Sequence, residues 1–377
     1  MIYLDYSATT PVSKEILDSY IKVTKEYIGN PNSLHLLGEK SHELLESATE
    51  QIAQVLDIKK SEIVFTSGST EANNLALVGY ALRNARFGKN IVVSKLEHPS
   101  IYEICNYLSN LGFTITYVDN DENGLIDFED LKRKVKEDTI MVCVVAVNSE
   151  LGIREPLKTI RQIIKKQNER TILFSDMTQA VGKAPINLHD VDMASMTSHK
   201  IYGPIGIGLL YKSEKINIEP LIHGTSNTLR GGTPVLPLVV AFSKALRIAI
   251  TNQAKNESIV RLLNDKLDAT IRKYPGIKIN KTKYSVPHIY NISLMNIKPE
   301  TFIHALEKRD MYVGSNTACS KGGTSLSVMA LYNDEVRAQT TLRICLSHLT
   351  SFDDLNKFLY SFDIIYKKLS SLGGKDE

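Results

Sequence analysis

The 377-residue sequence contains no tryptophan and only four cysteines, Cys105, Cys143, Cys319 and Cys345, which lie far apart with no CxxC pair. That scarcity excludes a disulfide-stapled scaffold and gives no zinc-ligand spacing. No apolar run approaches the ~18 residues that a membrane-spanning helix needs. The opening stretch, MIYLDYSATTP, has no basic start followed by an apolar run, so it does not read as a secretory signal. One-sided charge is also missing. The 45 basic and 42 acidic residues leave +3, too balanced for nucleic acid to be the primary ligand. A soluble, cytoplasmic protein with no membrane partner is expected. The chain is longer than the roughly 250–300 residues at which a single core stops growing, so a large domain packed with a smaller one is expected too.

What the sequence does have is alternation. Short β-branched, apolar runs occur at Glu62–Thr66, Ile91–Ser94, Thr114–Val118, Ile140–Val147, Ile172–Asp176, Met193–Thr197 and Ile207–Tyr211. Helical patterns such as Ser100–Leu111 and Pro156–Asn168 lie between them. Continuous apolar runs alternating with helices predict an α/β fold whose sheet is mostly parallel. The last two runs are joined by HKIYGPIG, too short for a helix, which predicts one antiparallel pair. After about residue 255 the texture changes to a basic amphipathic helix (Ile259–Tyr274), strand-like pieces (His288–Leu294, Tyr312–Val313, Thr341–Leu346) and a final helix (Asp353–Leu369). A second, smaller α+β domain is expected there.

Four segments carry candidate chemistry. Thr66–Ala72 (TSGSTEA) follows a strand and opens a helix at Asn73–Leu82; hydroxyls and free N–H groups there suit a phosphate, and equally an ordinary capping box. Lys200, in SMTSHKIYGP, follows an apolar strand among small hydroxyl residues. Desolvation there would fit it for Schiff-base chemistry, while a solvated loop lysine is the plain alternative. Asp176, at the carboxyl end of a buried strand, lies where open α/β sheets bind ligands; it would hold a protonated pyridine nitrogen or merely cap a helix. His98, in Glu97-His98-Pro99, would stack on a flat ring or serve structure alone. Taken in chain order, phosphate cradle, ring-stacking His98, acidic Asp176 and Lys200 make a binding kit for pyridoxal phosphate.

The sequence resembles the cysteine desulfurases of the NifS/IscS type, class V enzymes of pyridoxal-phosphate fold type I. The pieces that carry the resemblance are IYLDYSATTP (2–11), GNPNSLH (29–35), FTSGSTEANNLA (65–76), EHPS (97–100), VNSELG (147–152), SDMTQAVGK (175–183), SHKIYGPIGIG (198–208), LRGGT (229–233), TACS (317–320) and LRICLSH (342–348). The resemblance implies a mostly parallel seven-stranded sheet in a large domain, residues 15–255, and a small α+β domain made of 1–14 and 256–377. It implies Lys200 as the Schiff-base lysine, Asp176 at the pyridine nitrogen, His98 on the ring and Gln179 at the phenolic oxygen O3′. Ser69, Thr70, Thr197 and His199 are implied as phosphate ligands, with Thr233 reaching the phosphate site of a partner subunit in a homodimer. Arg343 is implied as the partner of the substrate carboxylate, and Asn30 lies in the substrate-side loop.

Cys319 sits in GSNTACSKGG, a segment of small residues beside Lys321. The resemblance implies that it takes sulfur from L-cysteine as a persulfide, releases alanine, and passes the sulfur to an acceptor protein for iron–sulfur cluster assembly or tRNA thiolation. Cys105, Cys143 and Cys345 read as packing. Three positions depart from the family pattern. Ser149 replaces an asparagine that contacts O3′, a substitution like that of a Gram-positive branch linked to tRNA thiolation. The stretch from Cys319 to Met329 is shorter, and His348 stands where an arginine is usual. A selenocysteine lyase, another class V enzyme such as an aminotransferase, and a catalytically idle partner in a sulfur-transfer assembly are the alternatives.

Overall fold

A computed structural model describes residues 1–224, 228–315 and 323–373, without the last two side chains of the terminal helix. Strand β1 (Ile2–Leu4) opens the chain. Strands β2 (Ile63–Thr66), β3 (Asn90–Ser94), β4 (Thr114–Val118), β5 (Thr139–Cys143), β6 (Ile172–Asp176), β7 (Met193–Thr197) and β8 (Gly208–Lys212) form one seven-stranded sheet, ordered β2-β8-β7-β6-β5-β3-β4. The expected antiparallel pair is β7–β8. Because the short loop turns β8 straight back, its other neighbour, β2, is antiparallel to it as well, and the remaining pairs are parallel.

Strands β3, β5, β6, β7 and β8 are buried along their whole lengths, which is why they are apolar runs rather than alternating ones. Alternate residues feed two separate cores. Ile91, Val93, Met141, Cys143 and Phe174 join the helices Ser69–Asn84 and Pro99–Asn110. Val92, Val142, Leu173 and Ala194 join the core that includes the helices Leu36–Leu56 and Leu236–Thr251. Cys105 and Cys143 are buried thiols whose deprotonation desolvation opposes, in keeping with a packing role.

The C-terminal region has its own core. Strands β9 (Lys278–Ile279), β10 (Ile289–Ser293) and, later, β12 (Thr341–Cys345) make an antiparallel sheet, ordered β12-β10-β9, while β11 (Met311–Val313) pairs in parallel with β1. Leu4, Leu263, Tyr290, Phe302, Ile344, Phe358 and Phe362 pack together against the helices Gln253–Ile271 and Phe352–Gly373. The chain's start is thereby drawn into the same core as its end. Residues Asp5 to Thr10 then run across the carboxyl edge of the large sheet, with the Thr10 N–H donating to His199 O at 2.9 Å.

Gly208 ties this sheet to the turn before the helix Ser69–Asn84. It pairs with Thr66 in β2 and Thr197 in β7, and a methyl group on it would lie 2.6 Å from Gly68 Cα and 2.7 Å from Met196 O. Both obstacles are backbone, so they cannot rotate away. Gly208→Ala is expected to destabilise the fold by about 1–3 kcal/mol, read as a lower urea midpoint; an unchanged midpoint would show that the turn gives way freely.

Candidate active site

The carboxyl ends of β3, β5, β6 and β7 converge on one cavity of about 180 Å³. Its lining includes Ser69, Thr70, His98, Ser149, Asp176, Gln179, His199, Lys200 and Arg343, nine of the residues singled out in the sequence, with Ser7, Ala8 and Thr178 beside them. Such a crevice, outside the carboxyl ends of parallel strands, is where α/β sheets take ligands.

Lys200 closes a single 3₁₀ turn after β7. Its Nζ donates to the carbonyls of Ser7 at 2.5 Å and Ala8 at 2.6 Å. The N-terminal segment is fastened around it. Thr10 Oγ1 donates to His199 O at 2.9 Å and accepts from the Tyr202 N–H at 2.7 Å, and Thr9 Oγ1 lies 3.1 Å from His199 Nδ1. Burial, reinforced by Lys200 and Lys183, pushes His199 down to about 4, so its imidazole is neutral at physiological pH.

Asp176 ends β6 and is almost fully buried. Its Oδ1 accepts from the Thr178 N–H at 2.9 Å and its Oδ2 from Asn73 Nδ2 at 3.1 Å. The same Asn73 amide donates to Ser100 Oγ at 3.1 Å, and that hydroxyl sits 2.9 Å from His98 Nδ1. A hydrogen-bonded chain thus fixes both the acid and the imidazole. Desolvation lowers the pKa of His98 against the opposing pull of Asp176. Next to it, Glu97 is buried with Oε1 accepting from the Val145 N–H at 2.6 Å, and desolvation raises its carboxyl far above the usual range.

Arg343, on β12, is only 1% exposed. Its Nη2 donates to Asp5 Oδ1 at 2.9 Å and its Nη1 to Ser149 O at 3.0 Å. Asn148 stiffens the loop that presents Ser149. Its Oδ1 accepts from the N–H groups of Glu150 and Leu151, at 3.0 and 2.7 Å, and its Nδ2 donates to Leu96 O at 2.8 Å and Ser327 Oγ at 3.0 Å.

Not every expected residue lines the cavity. Thr197 is buried behind it, bonded to Ile207 O at 3.4 Å. Asn30 and Thr233 are exposed and outside the lining. Cys319 lies outside the described residues. His348, partly buried, packs edge-on against Tyr202, with ring centroids 4.7 Å apart. Conversely, sequence reasoning missed Asp5, Ser7, Ala8, Asn73 and Ser100. IYLDYSATTP, FTSGSTEANNLA and EHPS contained all five, but their tasks are tertiary contacts that no local pattern announces.

The donor set fits a phosphorylated pyridine aldehyde. The helix Ser69–Asn84 starts at Gly68 with no side-chain cap, and its first residues, Ser69 and Thr70, line the cavity together with His199. Glu71 does not compete for the site. Its carboxylate accepts from the Ser67 N–H at 2.8 Å and from Arg230 Nε at 3.0 Å, and these bonds outweigh burial to hold its pKa low. Thr178 Oγ1, in the lining, is buried with no partner among the described residues.

The loop that carries Ser149 returns to Glu155, whose carboxylate accepts from the Ile126 N–H at 3.0 Å. Burial lifts Glu155 from 4.5 to about 8. The folded protein therefore holds this proton more tightly than the unfolded chain, and the stability it confers is lost as pH rises between those values. Glu155→Gln is expected to remove a fall of about 1–3 kcal/mol between about pH 5 and about pH 8, read from urea midpoints at both. A wild-type slope that survives the substitution would contradict the assignment.

The chain matches the aminotransferase class-V family over residues 2–358. It is 35% identical to the cysteine desulfurase IscS of Dictyoglomus turgidum, over 98% of this chain and 96% of that protein. Among solved structures it superposes on a NifS-like protein with a TM-score of 0.91 and 32% identity, covering 98% and 99% of the two chains. It also superposes on SspA in complex with cysteine, with a TM-score of 0.80 and 28% identity over 93% and 100%. The fold, the cavity and the match along nearly the full length agree, and the chain belongs to the NifS/IscS branch of the class-V aminotransferase family, whose members use pyridoxal phosphate.

Proposed function

We propose that this protein is an L-cysteine desulfurase that uses pyridoxal phosphate, leaves sulfur on Cys319 as a persulfide and releases L-alanine. The observation that carries the reading is the convergence of Lys200, Asp176, His98 and Arg343 on one cavity in a chain similar to proteins named cysteine desulfurase. Bound pyridoxal phosphate supplies an electron sink for bond breaking at the substrate α-carbon. The N-terminus of the helix Ser69–Asn84, with Ser69, Thr70 and His199, holds the phosphate. Asp176, pinned by Asn73 and Thr178, pairs with the ring nitrogen. His98 would cover the ring face, and Gln179 with Ser149, which line the same cavity, would serve O3′. Arg343 offers its planar, permanently charged fork to the substrate carboxylate. Lys200 takes the α-proton and returns it. The thiolate of Cys319 then forms an S–S bond to the substrate sulfur as the C–S bond breaks; the electron pair goes to the carbon skeleton, which takes up protons to become alanine.

The active unit is a homodimer in this reading. Thr233 is exposed and outside its own chain's cavity, as a residue serving a partner's phosphate site must be. Ile28, Leu34, Leu36 and Leu37 are exposed around the Asn30 loop, a grouping that an apolar interface would cover. Residues 15–255 form the cofactor-binding unit, and residues 1–14 with 256–377 form the small unit that carries Cys319; the pairing of β1 with β11 supports assigning the N-terminus to the latter. The acceptor is an iron–sulfur scaffold or a tRNA-thiolation enzyme, and the protein works in the cytoplasm. Among the described residues no helix is long and apolar enough to cross a membrane.

The test is turnover of L-cysteine with alanine and keto-acid products measured separately. Alanine with stoichiometric persulfide is expected, whereas keto acid would make the protein an aminotransferase. Lys200→Ala should abolish turnover while some cofactor stays on the phosphate site; wild-type rates in that variant would sink the lysine's role. Thr233→Ala should weaken cofactor binding by about 1–3 kcal/mol, and a fully active monomer by sedimentation would exclude the shared site.

A further inference from the structure

Lys183 is 7% exposed, and among the described residues no carboxylate pairs with it. It lies one helical turn beyond Gln179, in a segment closed by hydrogen bonds from Val181 N–H to Met177 O and from Ala184 N–H to Ala180 O. Its Nζ donates to Gln179 Oε1 at 2.5 Å. On the other side, Gln179 Nε2 donates to Ser7 O at 3.0 Å. The Ser7 carbonyl fixes the amide, because a carbonyl can only accept and so takes the NH2 end, which turns Oε1 toward Lys183. Gln179 therefore has its oxygen engaged by Lys183 and one amide hydrogen engaged by Ser7. The second amide hydrogen remains for the cavity that Gln179 lines.

An apolar side chain would fill the space of Lys183 without the cost of burying an amine, so packing does not account for its presence. The charged and titratable groups acting on it are Lys200, Arg343 and Cys345, with His199 and His288 within its field. Burial and then Lys200 push Lys183 down to about 7, with Cys345 opposing and Arg343 adding to the shift.

We propose that Lys183 is a positioning residue: it locks the Gln179 amide so that an N–H, not a carbonyl oxygen, points at an electron-rich ring oxygen of the cofactor. This rests on the desulfurase reading of the same cavity. A fixed donor there stabilises negative charge on that oxygen and so makes a neighbouring bound proton easier to lose. The chain Lys183–Gln179–Ser7–Lys200 is continuous, since Lys200 Nζ donates to the same Ser7 carbonyl.

The experiment is a pH titration of the bound cofactor's visible absorption in purified holoenzyme, for wild type, Lys183→Met, Gln179→Leu and the double variant. Circular dichroism and cofactor content are measured alongside. Lys183→Met is expected to stay folded and coloured, with the absorption midpoint raised by about one pH unit. Gln179→Leu should raise it as well, and adding Lys183→Met to Gln179→Leu should shift it no further, because the lysine acts through the amide. An unmoved midpoint in Lys183→Met would overturn the inference while leaving the desulfurase reading intact. Additive shifts would overturn it too, by showing that the lysine acts through its charge alone. A wild-type protein that takes up no cofactor would overturn both the desulfurase reading and this inference.

Discussion

Arg343 carries a charge it cannot shed, and almost none of its side chain reaches water. Removing such an ion from water costs several kcal/mol unless its donors are met. Three distant stretches of chain meet them or hold them in place. Asp5 comes from the segment after β1, Ser149 O from the loop beyond β5, and Gly314 exchanges backbone hydrogen bonds of 3.0 and 2.7 Å with Arg343 itself. A methyl on Gly314 would lie 2.7 Å from Asp5 Oδ1 and so crowd the carboxylate that pairs with Arg343. One guanidinium thus binds the N-terminus, the large sheet and the C-terminal sheet together. Its Nε has no partner among the described residues, so the fork keeps donor capacity beside the cavity.

Around that cation, burial disfavours the charged forms of several titratable groups. Desolvation raises the carboxyls of Glu97, Glu150 and Glu155 and lowers His98, His199 and His288. Burial thus disfavours the charged imidazolium at both His98 and His199, the imidazoles that line the cavity. For Glu150, desolvation outweighs both the hydrogen bond from Ser325 Oγ and the attraction of Arg343.

The large sheet was legible because its strands are buried on both faces and read as unbroken apolar runs; all seven runs became strands. Reversal of β8 was legible from the short loop, but its second antiparallel neighbour was not, because sheet order is not a local property. Lys200, Asp176 and His98 were legible from their places at strand ends. Asp5, Asn73 and Ser100 were not. They act across 338, 103 and 27 positions of sequence, through Arg343, Asp176 and Asn73 respectively. The Ser7 and Ala8 carbonyls are still less visible, since a backbone acceptor carries no residue signature. Thr197, expected from the resemblance as a phosphate ligand, ends β7 outside the cavity lining with its hydroxyl on Ile207 O.

Sulfur transfer through Cys319 is the central claim, and the four cysteines allow it to be tested directly. Alanine release and persulfide labelling would be measured in Cys105→Ser, Cys143→Ala, Cys319→Ser and Cys345→Ser under one fixed reductant. Cys319→Ser is expected to remain folded and coloured yet form almost no alanine and carry no label, because a hydroxyl is a poor nucleophile toward sulfur. The other three should keep desulfurating, with stability alone reduced. Labelling that persists in Cys319→Ser but vanishes in Cys345→Ser would name a different nucleophile, and alanine from all four variants would contradict the persulfide route itself.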